Sequence, residues 1–414
     1  MRDTDLYARI LGVESPWRVT DVELRLAAEE VEVRVEHSAS EPVECPECGA
    51  AAQRYDTRLR RWRHLPTCQY KTILAAAVPR VRCPKHGVKT LAVPWSEPGS
   101  GFTALFEALV IDWLREASTS AVARQLDLTW DQVDGVMQRA VQRGLARRRL
   151  EVPRRLGVDE TSFQKRHEYV TVVADLDEGV VQHVADGRGK GALTAYYESF
   201  SKEELAQIQI VAMDMWGAYI AATSDALPDA ESKIAFDKFH VAMHLGTAVD
   251  SVRREENSAL HDRGDDSLKG TKHLWLYHPD HLPEKSIVQF DQLVRRALKT
   301  SRAWMLKELA MEMWEDRDRL AAERIFKAWY SWAIRSRLEP IKKVARMIKR
   351  NLQGILNAIA AGVTNARLEG INTVIQGIKR TARGFRSRPR YRNAIYFHLG
   401  GLDLYPDSLA HSNS

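Results

Sequence analysis

The chain has 414 residues, 44% of them hydrophobic and 28% charged, with a formal net charge of +6. This composition excludes disordered and fibrous classes and implies two or three folded domains with a sizeable core. Its four cysteines make no disulfide framework, and without a secretory leader or an apolar run of spanning length the chain is expected to be soluble and cytoplasmic, with no membrane contact. The positive charge is concentrated at Arg58–Arg63, Arg143–Arg155, Arg335–Arg350 and Lys379–Arg392, interleaved with Trp62, Phe385 and Tyr391. Such clusters point to a polyanion partner, most simply nucleic acid.

In chain order, residues 1–40 alternate in short stretches, Val22-Glu23-Leu24-Arg25-Leu26 and Val31-Glu32-Val33-Arg34-Val35, which predict strands with one buried face. Two knuckles follow, Cys45-Pro46-Glu47-Cys48-Gly49 and Cys83-Pro84-Lys85-His86-Gly87, with basic strands between them at Arg58–Leu65 and Lys71–Val81. Each knuckle has a turn-forming Pro in second place and a Gly directly after it. Together they offer Cys45, Cys48, Cys83 and His86 as the four soft ligands of structural Zn2+. Cys68 stands alone, and His64 is a rival fourth ligand without the knuckle spacing.

A Pro/Gly/Ser linker from Pro94 to Gly101 leads into a helical stretch, 102–146, in which Leu105, Leu109, Trp113 and Leu114 recur at helical spacing. Thr119–Leu126 and the helix that Thr129 caps read as helix-turn-helix. Ala123 permits close approach, and Leu126, Leu128 and Val133 close the small core. The exposed start of the last helix, with Trp130, Asp131 and Gln132, would face a major groove, and Arg124 and Arg139 would lie on or beside that surface. The alternative is a generic helical pair.

From 156 the pattern becomes strands at Leu156–Asp159, Tyr169–Asp175 and Val180–Ala185. A helix at Leu193–Phe200, a strand ending at Asp214, another helix and a short strand, Lys233–Asp237, come next. This is the order of a ribonuclease H-like fold. Residues 240–350, with Trp275, Trp304, Trp314, Trp329 and Trp332, read as an all-helical insertion. The fold class expected is therefore multidomain α/β: an N-terminal zinc-binding β module (1–95), a helix-turn-helix (102–146), a ribonuclease H-like catalytic domain (155–240 and 356–402) and the helical insertion (241–355). The residues from Leu402 are short and polar and suggest no further domain.

Three carboxylates stand out. Apolar strands deliver Asp159 and Asp214 at their ends, where a sheet presents ligands, and Glu160 beside Asp159 would point the other way. Glu369 lies on a helix whose polar stripe carries Asn365, Asn372, Gln376, Lys379 and Arg380, with Arg383 in the same basic cluster, suited to a metal ligand beside a phosphate track. Three converging acids suit two Mg2+ (or Mn2+) ions ~4 Å apart acting on a phosphodiester. Asp237 and His240 form a further candidate pair, whose plainer reading is a capped strand end with a hydrogen-bonded histidine.

The knuckles, the helix-turn-helix, Gly157-Val158-Asp159-Glu160-Thr161, Val173-Ala174-Asp175-Leu176, Met213-Asp214-Met215, Phe236-Asp237-Lys238-Phe239-His240 and Asn365-Ala366-Arg367-Leu368-Glu369-Gly370-Ile371-Asn372 occur in this order. Over nearly its whole length the chain resembles bacterial insertion-sequence transposases of the "ISL-three" family, although His86 stands where the family commonly has a fourth cysteine. The resemblance implies a DDE-type enzyme with Asp159, Asp214 and Glu369 as its triad. It would cut and join double-stranded DNA at transposon ends, working as a homodimer or larger synaptic assembly associated with the nucleoid. The rival readings are a non-catalytic DNA-binding regulator with the same front end and a ribonuclease H-like nuclease.

Overall fold

A computed structural model describes residues 2–164, 168–277, 282–296, 298–362 and 366–407. They form two compact units: residues 1–149 together with 396–414, and residues 150–395. No helix among the described residues is long and apolar enough to cross a membrane.

The first unit opens with a helix that the sequence reading did not foresee, α1 (Asp3–Ile10), followed by β1 (Trp17–Arg25), β2 (Glu30–His37), β3 (Gln53–Thr67), β4 (Tyr70–Cys83) and β5 (Gly87–Thr90). The sheet order is β1-β2-β4-β3, with β5 on β4. Central β4 carries Leu74-Ala75-Ala76-Ala77-Val78 because neighbours flank it on both sides. Val31, Val33 and Val35 of β2 are buried as their alternation predicts, beside Trp17, Trp62 and Trp95, whose rings meet edge to face.

Three helices follow: α2 (Ala104–Glu116), α3 (Thr119–Gln125) and α4 (Trp130–Arg147). Thr103, Ser118 and Thr129 cap them, each accepting a backbone N–H three residues on. Thr129 and Gln132 close a reciprocal capping box. Val122, Ala123 and Val133 are buried in the turn between α3 and α4, with Leu126 and Leu128 half-buried. The inward face of α2 differs from the expected one. Phe106, Val110, Ile111 and Leu114 are buried, whereas Leu105 and Trp113 are 37% and 41% exposed. A helix this apolar offers two adjacent stripes, and which one turns inward depends on its neighbours.

The last described residues also revise the expectation of a merely polar end. Leu402 and Leu404 are buried in the first unit. A Cβ on Gly144 of α4 would meet Leu402 at 2.6 Å. Arg143 donates to the Leu404 carbonyl, Arg147 pairs with Asp403 at 2.9 Å, and the Tyr405 hydroxyl reaches Asp112.

The second unit holds β6 (Arg155–Gln164), β7 (Glu168–Asp175), β8 (Val180–Asp186), α5 (Lys190–Tyr197), α6 (Lys202–Leu205), β9 (Ile210–Met213), α7 (Gly217–Ala226), α8 (Ala230–Lys233) and β10 (Ile234–Phe236). The sheet order is β10-β9-β6-β7-β8, with β10, β9 and β6 parallel and β7 and β8 antiparallel. The stretch read as an insertion is helical: α9 (Lys238–His261), α10 (Lys272–Leu276), α11 (Glu284–Arg295), α12 (Lys299–Met311), α13 (Arg319–Arg335) and α14 (Glu339–Arg350). Its Trp275 and Trp329 share one hydrophobic core with Val158 and Met213 of the sheet. The unit closes with α15 (Leu352–Ala361), α16 (Ala366–Thr381) and α17 (Arg388–Leu399), the division between units falling within α17.

Candidate functional site

In the first unit the two knuckles meet. Cys45, Cys48, Cys83 and His86 bring one ligand atom each to within 4.8 Å of the others. The Cys48 and Cys83 sulfurs are 3.8 Å apart, and His86 Nδ1 lies 3.5 Å from Cys45 Sγ and 3.7 Å from Cys83 Sγ. A tetrahedron with ~2.3 Å metal–sulfur and ~2.0 Å metal–nitrogen bonds has edges of roughly 3.5–3.8 Å, so this set fits zinc. Backbone N–H groups, first that of Glu47, pull the Cys45 thiol down to about 6, toward the thiolate that a metal binds. Glu47 stands 3.8 Å behind His86 Nε2 and is itself held by Lys89 at 2.6 Å, an outer carboxylate that orients the ring. His64 is no ligand. It is buried under Thr103, whose hydroxyl is 2.9 Å from its Nδ1, and burial holds its pKa down to about 4.

In the helix-turn-helix, Arg124, Trp130, Asp131 and Gln132 are exposed at the end of α3 and the start of α4. Gln132 also spends its carbonyl oxygen on the Thr129 N–H. Arg139, expected on or beside that surface, is half-buried. Its Nε donates to Glu107 Oε1 at 2.9 Å, and Glu107 is buried and needs that charge. In the basic cluster Arg143–Arg155, Arg143 pairs with Glu97 and Glu107, Arg147 with Asp403 and Asp407, and Arg155 with Asp177. These cations answer carboxylates of the protein.

In the second unit the parallel registers align three acids. Val158 of β6 pairs with Met213 of β9, and Met213 with Phe236 of β10. An aspartate directly follows each of these residues: Asp159 within β6, and Asp214 and Asp237 just past the ends of β9 and β10. Asp159 is not at the end of β6, as expected, but within it, because β6 runs on to Gln164 alongside β7 after β9 has ended.

Asp159 accepts the Glu160 N–H at 2.8 Å and the Asn372 side-chain amide at 2.6 Å. Burial nevertheless pushes its carboxyl above the usual range, and the Asp214 charge pushes the same way. Asp214 accepts the Met215 N–H at 2.6 Å and has His240 Nδ1 at 3.4 Å. That nitrogen is buried without a hydrogen-bond partner. Asp237 caps α9, accepting the Phe239 N–H at 3.1 Å.

Helix α16 lies along β6. Leu368 packs over Gly157, Asn372 reaches Asp159, Gln376 donates to Thr161 at 2.8 Å, and Lys379 donates to the Ser162 carbonyl at 2.7 Å. The polar stripe therefore faces the strand, and Lys379 is held there. Asn365 of the expected stripe lies outside the described residues. Glu369 is exposed, one turn before Asn372. Residues three apart on a helix have Cβ atoms ~5–6 Å from each other, so Glu369 is a near neighbour of Asn372 on α16. Among the described residues only the knuckle ligands, and not these three carboxylates, form a metal-sized group. Beside them Asn372, Thr373, Gln376 and Arg380 line a hollow of about 430 Å³, and Arg383 is exposed beyond it.

Sequence reasoning missed Arg188. Its guanidinium lies between the rings of Tyr169 and Trp216, 4.5 and 4.6 Å from their centroids, and 3.6 Å from Glu160. A lone Arg in a loop carries no sequence signal for this arrangement.

Three family models match the chain in succession: a zinc finger of transposases IS204/IS1001/IS1096/IS1165 over residues 41–86, a helix-turn-helix domain of transposase family ISL3 over 91–141, and an ISL3 transposase domain over 156–395. The transposase for insertion sequence element IS1557 of Mycobacterium tuberculosis is 29% identical, over 94% of this chain and 93% of that protein. The transposase for insertion sequence element IS1001 of Bordetella parapertussis is 29% identical, over 87% and 88%. With more than half of its length matched by the transposase domain and the zinc finger and helix-turn-helix preceding it in order, the chain belongs to the ISL3 family of insertion-sequence transposases.

Proposed function

We propose that this transposase binds the terminal repeats of its insertion sequence and performs metal-dependent strand cleavage and strand transfer, with Asp159, Asp214 and Glu369 as the catalytic carboxylates of a ribonuclease H-like domain. The observation that carries the proposal is that Asp159 and Asp214 directly follow the paired residues Val158 and Met213 and feel each other's charge, with α16 tied to Asp159 through Asn372. The sheet order, three parallel strands continued by two antiparallel ones, supports the ribonuclease H-like reading. The donor set is all carboxylate oxygen, and Asp159 is buried where negative charge is disfavoured without a cation, which fits Mg2+ or Mn2+. When bound, such ions activate the attacking hydroxyl or water and stabilise the leaving 3′-oxygen.

Within the protein, Asp159 and Asp214 offer oxygens side by side, Asn372 fixes which oxygen of Asp159 stays turned away, and Glu369 approaches from the helix. The product 3′-OH can then replace water at the same site, so no nucleophilic side chain is required. The zinc ribbon and the exposed end of the helix-turn-helix, Arg124, Trp130 and Gln132, present the DNA-reading surface, and Arg380 and Arg383 flank the acidic site. Both ends must be joined in one event, which calls for a dimer or larger synaptic assembly acting on the nucleoid.

The test is a strand-transfer assay with Mg2+ and a labelled transposon end. Joined products are expected from the wild type, and DNA binding without cleavage from Asp159→Asn, Asp214→Asn and Glu369→Gln. Binding alone in the wild type would make the protein a regulator, and cleavage without joining would make it a nuclease. Near-normal joining by Glu369→Gln would remove Glu369 from the site and turn attention to Asp237.

A further inference from the structure

The most polarised helix of the second unit has no part in the site above. α14 buries Ile341, Ala345 and Ile348 and exposes Lys343, Arg346, Lys349 and Arg350. With Tyr330 of α13 these four cations line a hollow of about 420 Å³. Lys349 Nζ sits 5.0 Å from the Tyr330 ring centroid, which sets one wall. Glu339, at the start of the helix, is taken by Lys342. Among the described residues no carboxylate forms an ion pair with Lys343, Arg346, Lys349 or Arg350. Steps of three and four residues place these like charges beside one another on one face, where they repel. Elsewhere in this chain clustered arginines are answered by acids, as Arg139, Arg143 and Arg147 are. Here the acid near them, Glu339, is bonded to Lys342 and reaches Arg346 and Lys343 only through its field, which leaves the face strongly positive.

We propose that this face of α14, with Tyr330, seats the phosphate backbone of duplex DNA as a second binding surface, carried by the unit opposite in sequence to the helix-turn-helix. From residue 343 to 350 the helix advances ~10 Å, about three base steps of one strand at ~3.4 Å. The surface offers point charges and no base-reading amides, so it holds DNA of any sequence. The proposal rests on the reading of the protein as a DNA-processing transposase.

The test uses the full-length chain with Lys343→Gln, Arg346→Gln, Lys349→Gln and Arg350→Gln combined, and a charge-preserving partner, Lys343→Arg, Arg346→Lys, Lys349→Arg and Arg350→Lys. Binding to a transposon-end duplex and a random duplex is measured against salt concentration, with thermal melting as the check on folding. Each lost phosphate contact lowers the slope of log K against log salt by ~0.9, so the neutral variant should lose ~3–4 from the slope. Both duplexes should weaken alike, leaving their ratio unchanged, and the charge-preserving variant should behave as the wild type. An unchanged slope in a folded neutral variant, or a loss confined to one of the two duplexes, overturns the proposal. A wild type that binds neither duplex in a salt-dependent way overturns the transposase reading itself.

Discussion

Asn372 shows how much a single uncharged side chain can contribute at an acidic site. Its amide is committed to one oxygen of Asp159, so the carboxylate cannot rotate freely toward Asp214. Loss of such an orienting partner typically lowers metal affinity or activity 10–100-fold. Asn372→Ala should therefore reduce cleavage by about that factor in a labelled-end assay, while end binding by mobility shift stays as in the wild type. His64 makes a different prediction. Its folded pKa of about 4 lies below the ordinary value of 6.5, so the unfolded chain takes up the proton first. Stability is whole above pH ~6.5 and falls as pH drops from there toward 4, by about 3 kcal/mol in all. Urea melts at pH 7 and pH 5 should show a smaller pH dependence in His64→Gln than in the wild type. An equal dependence would mean that the buried histidine is not responsible. At this scale the candidate acids were legible in the sequence, because an apolar run closed by Asp is a local pattern. That Asp159, Asp214 and Asp237 each follow one of the paired residues Val158, Met213 and Phe236 was not, since it depends on which strands pair and in what register.

At the scale of elements, the contact between β6 and α16 decides whether Glu369 can serve the site. Gly157 permits it. A Cβ there would meet Leu176 at 2.7 Å and Leu368 at 3.2 Å. Gly157→Ala should lower stability by about 1–3 kcal/mol through overpacking. It should also push α16 outward, so that strand cleavage falls more than DNA binding does. Equal losses in the two assays would show that the helix keeps its place. In the helix-turn-helix, Thr129→Ala removes the hydroxyl that caps α4 and leaves the Gln132 backbone N–H without its acceptor, while the Gln132 side chain keeps the backbone N–H of residue 129. It should destabilise the first unit by about 1 kcal/mol in a denaturant melt. The element types were mostly readable from periodicity and caps, and the knuckles from spacing alone. Helix faces were less so. α2 carries Leu105 and Trp113 on one stripe and Phe106, Val110 and Leu114 on the next, and only the neighbouring strand and helix determine which is buried. Likewise the stripe Asn372, Gln376 and Lys379 was read as facing phosphate, whereas it faces β6.

For the whole molecule, zinc should govern one unit and not the other. The four ligands tie the strands of the first sheet to its knuckles, and such sites supply folding energy directly. Chelation, or Cys48→Ala, should melt the first unit and abolish end recognition while the second unit keeps its helical signal and its own thermal transition. A single transition lost together would refute two independent units. Metal analysis of the purified protein should give one zinc per chain. Arg143 and Arg147 also act at this scale: their cluster was read from composition as pointing to a polyanion partner, but their acids lie at Glu97, Glu107, Asp403 and Asp407, far away in sequence and invisible to a local count of charge.

The burial of Leu402 and Leu404 against α4 gives the first unit a history as well as a shape. Its strands and helices leave the ribosome first, but the segment that covers Gly144 is synthesised only after the second unit has been made. A nascent chain thus carries an unfinished helix-turn-helix throughout synthesis of residues 150–395, and a product that stops early never completes it. The reader of DNA matures last, in the same molecule that already holds the folded sheet of acids.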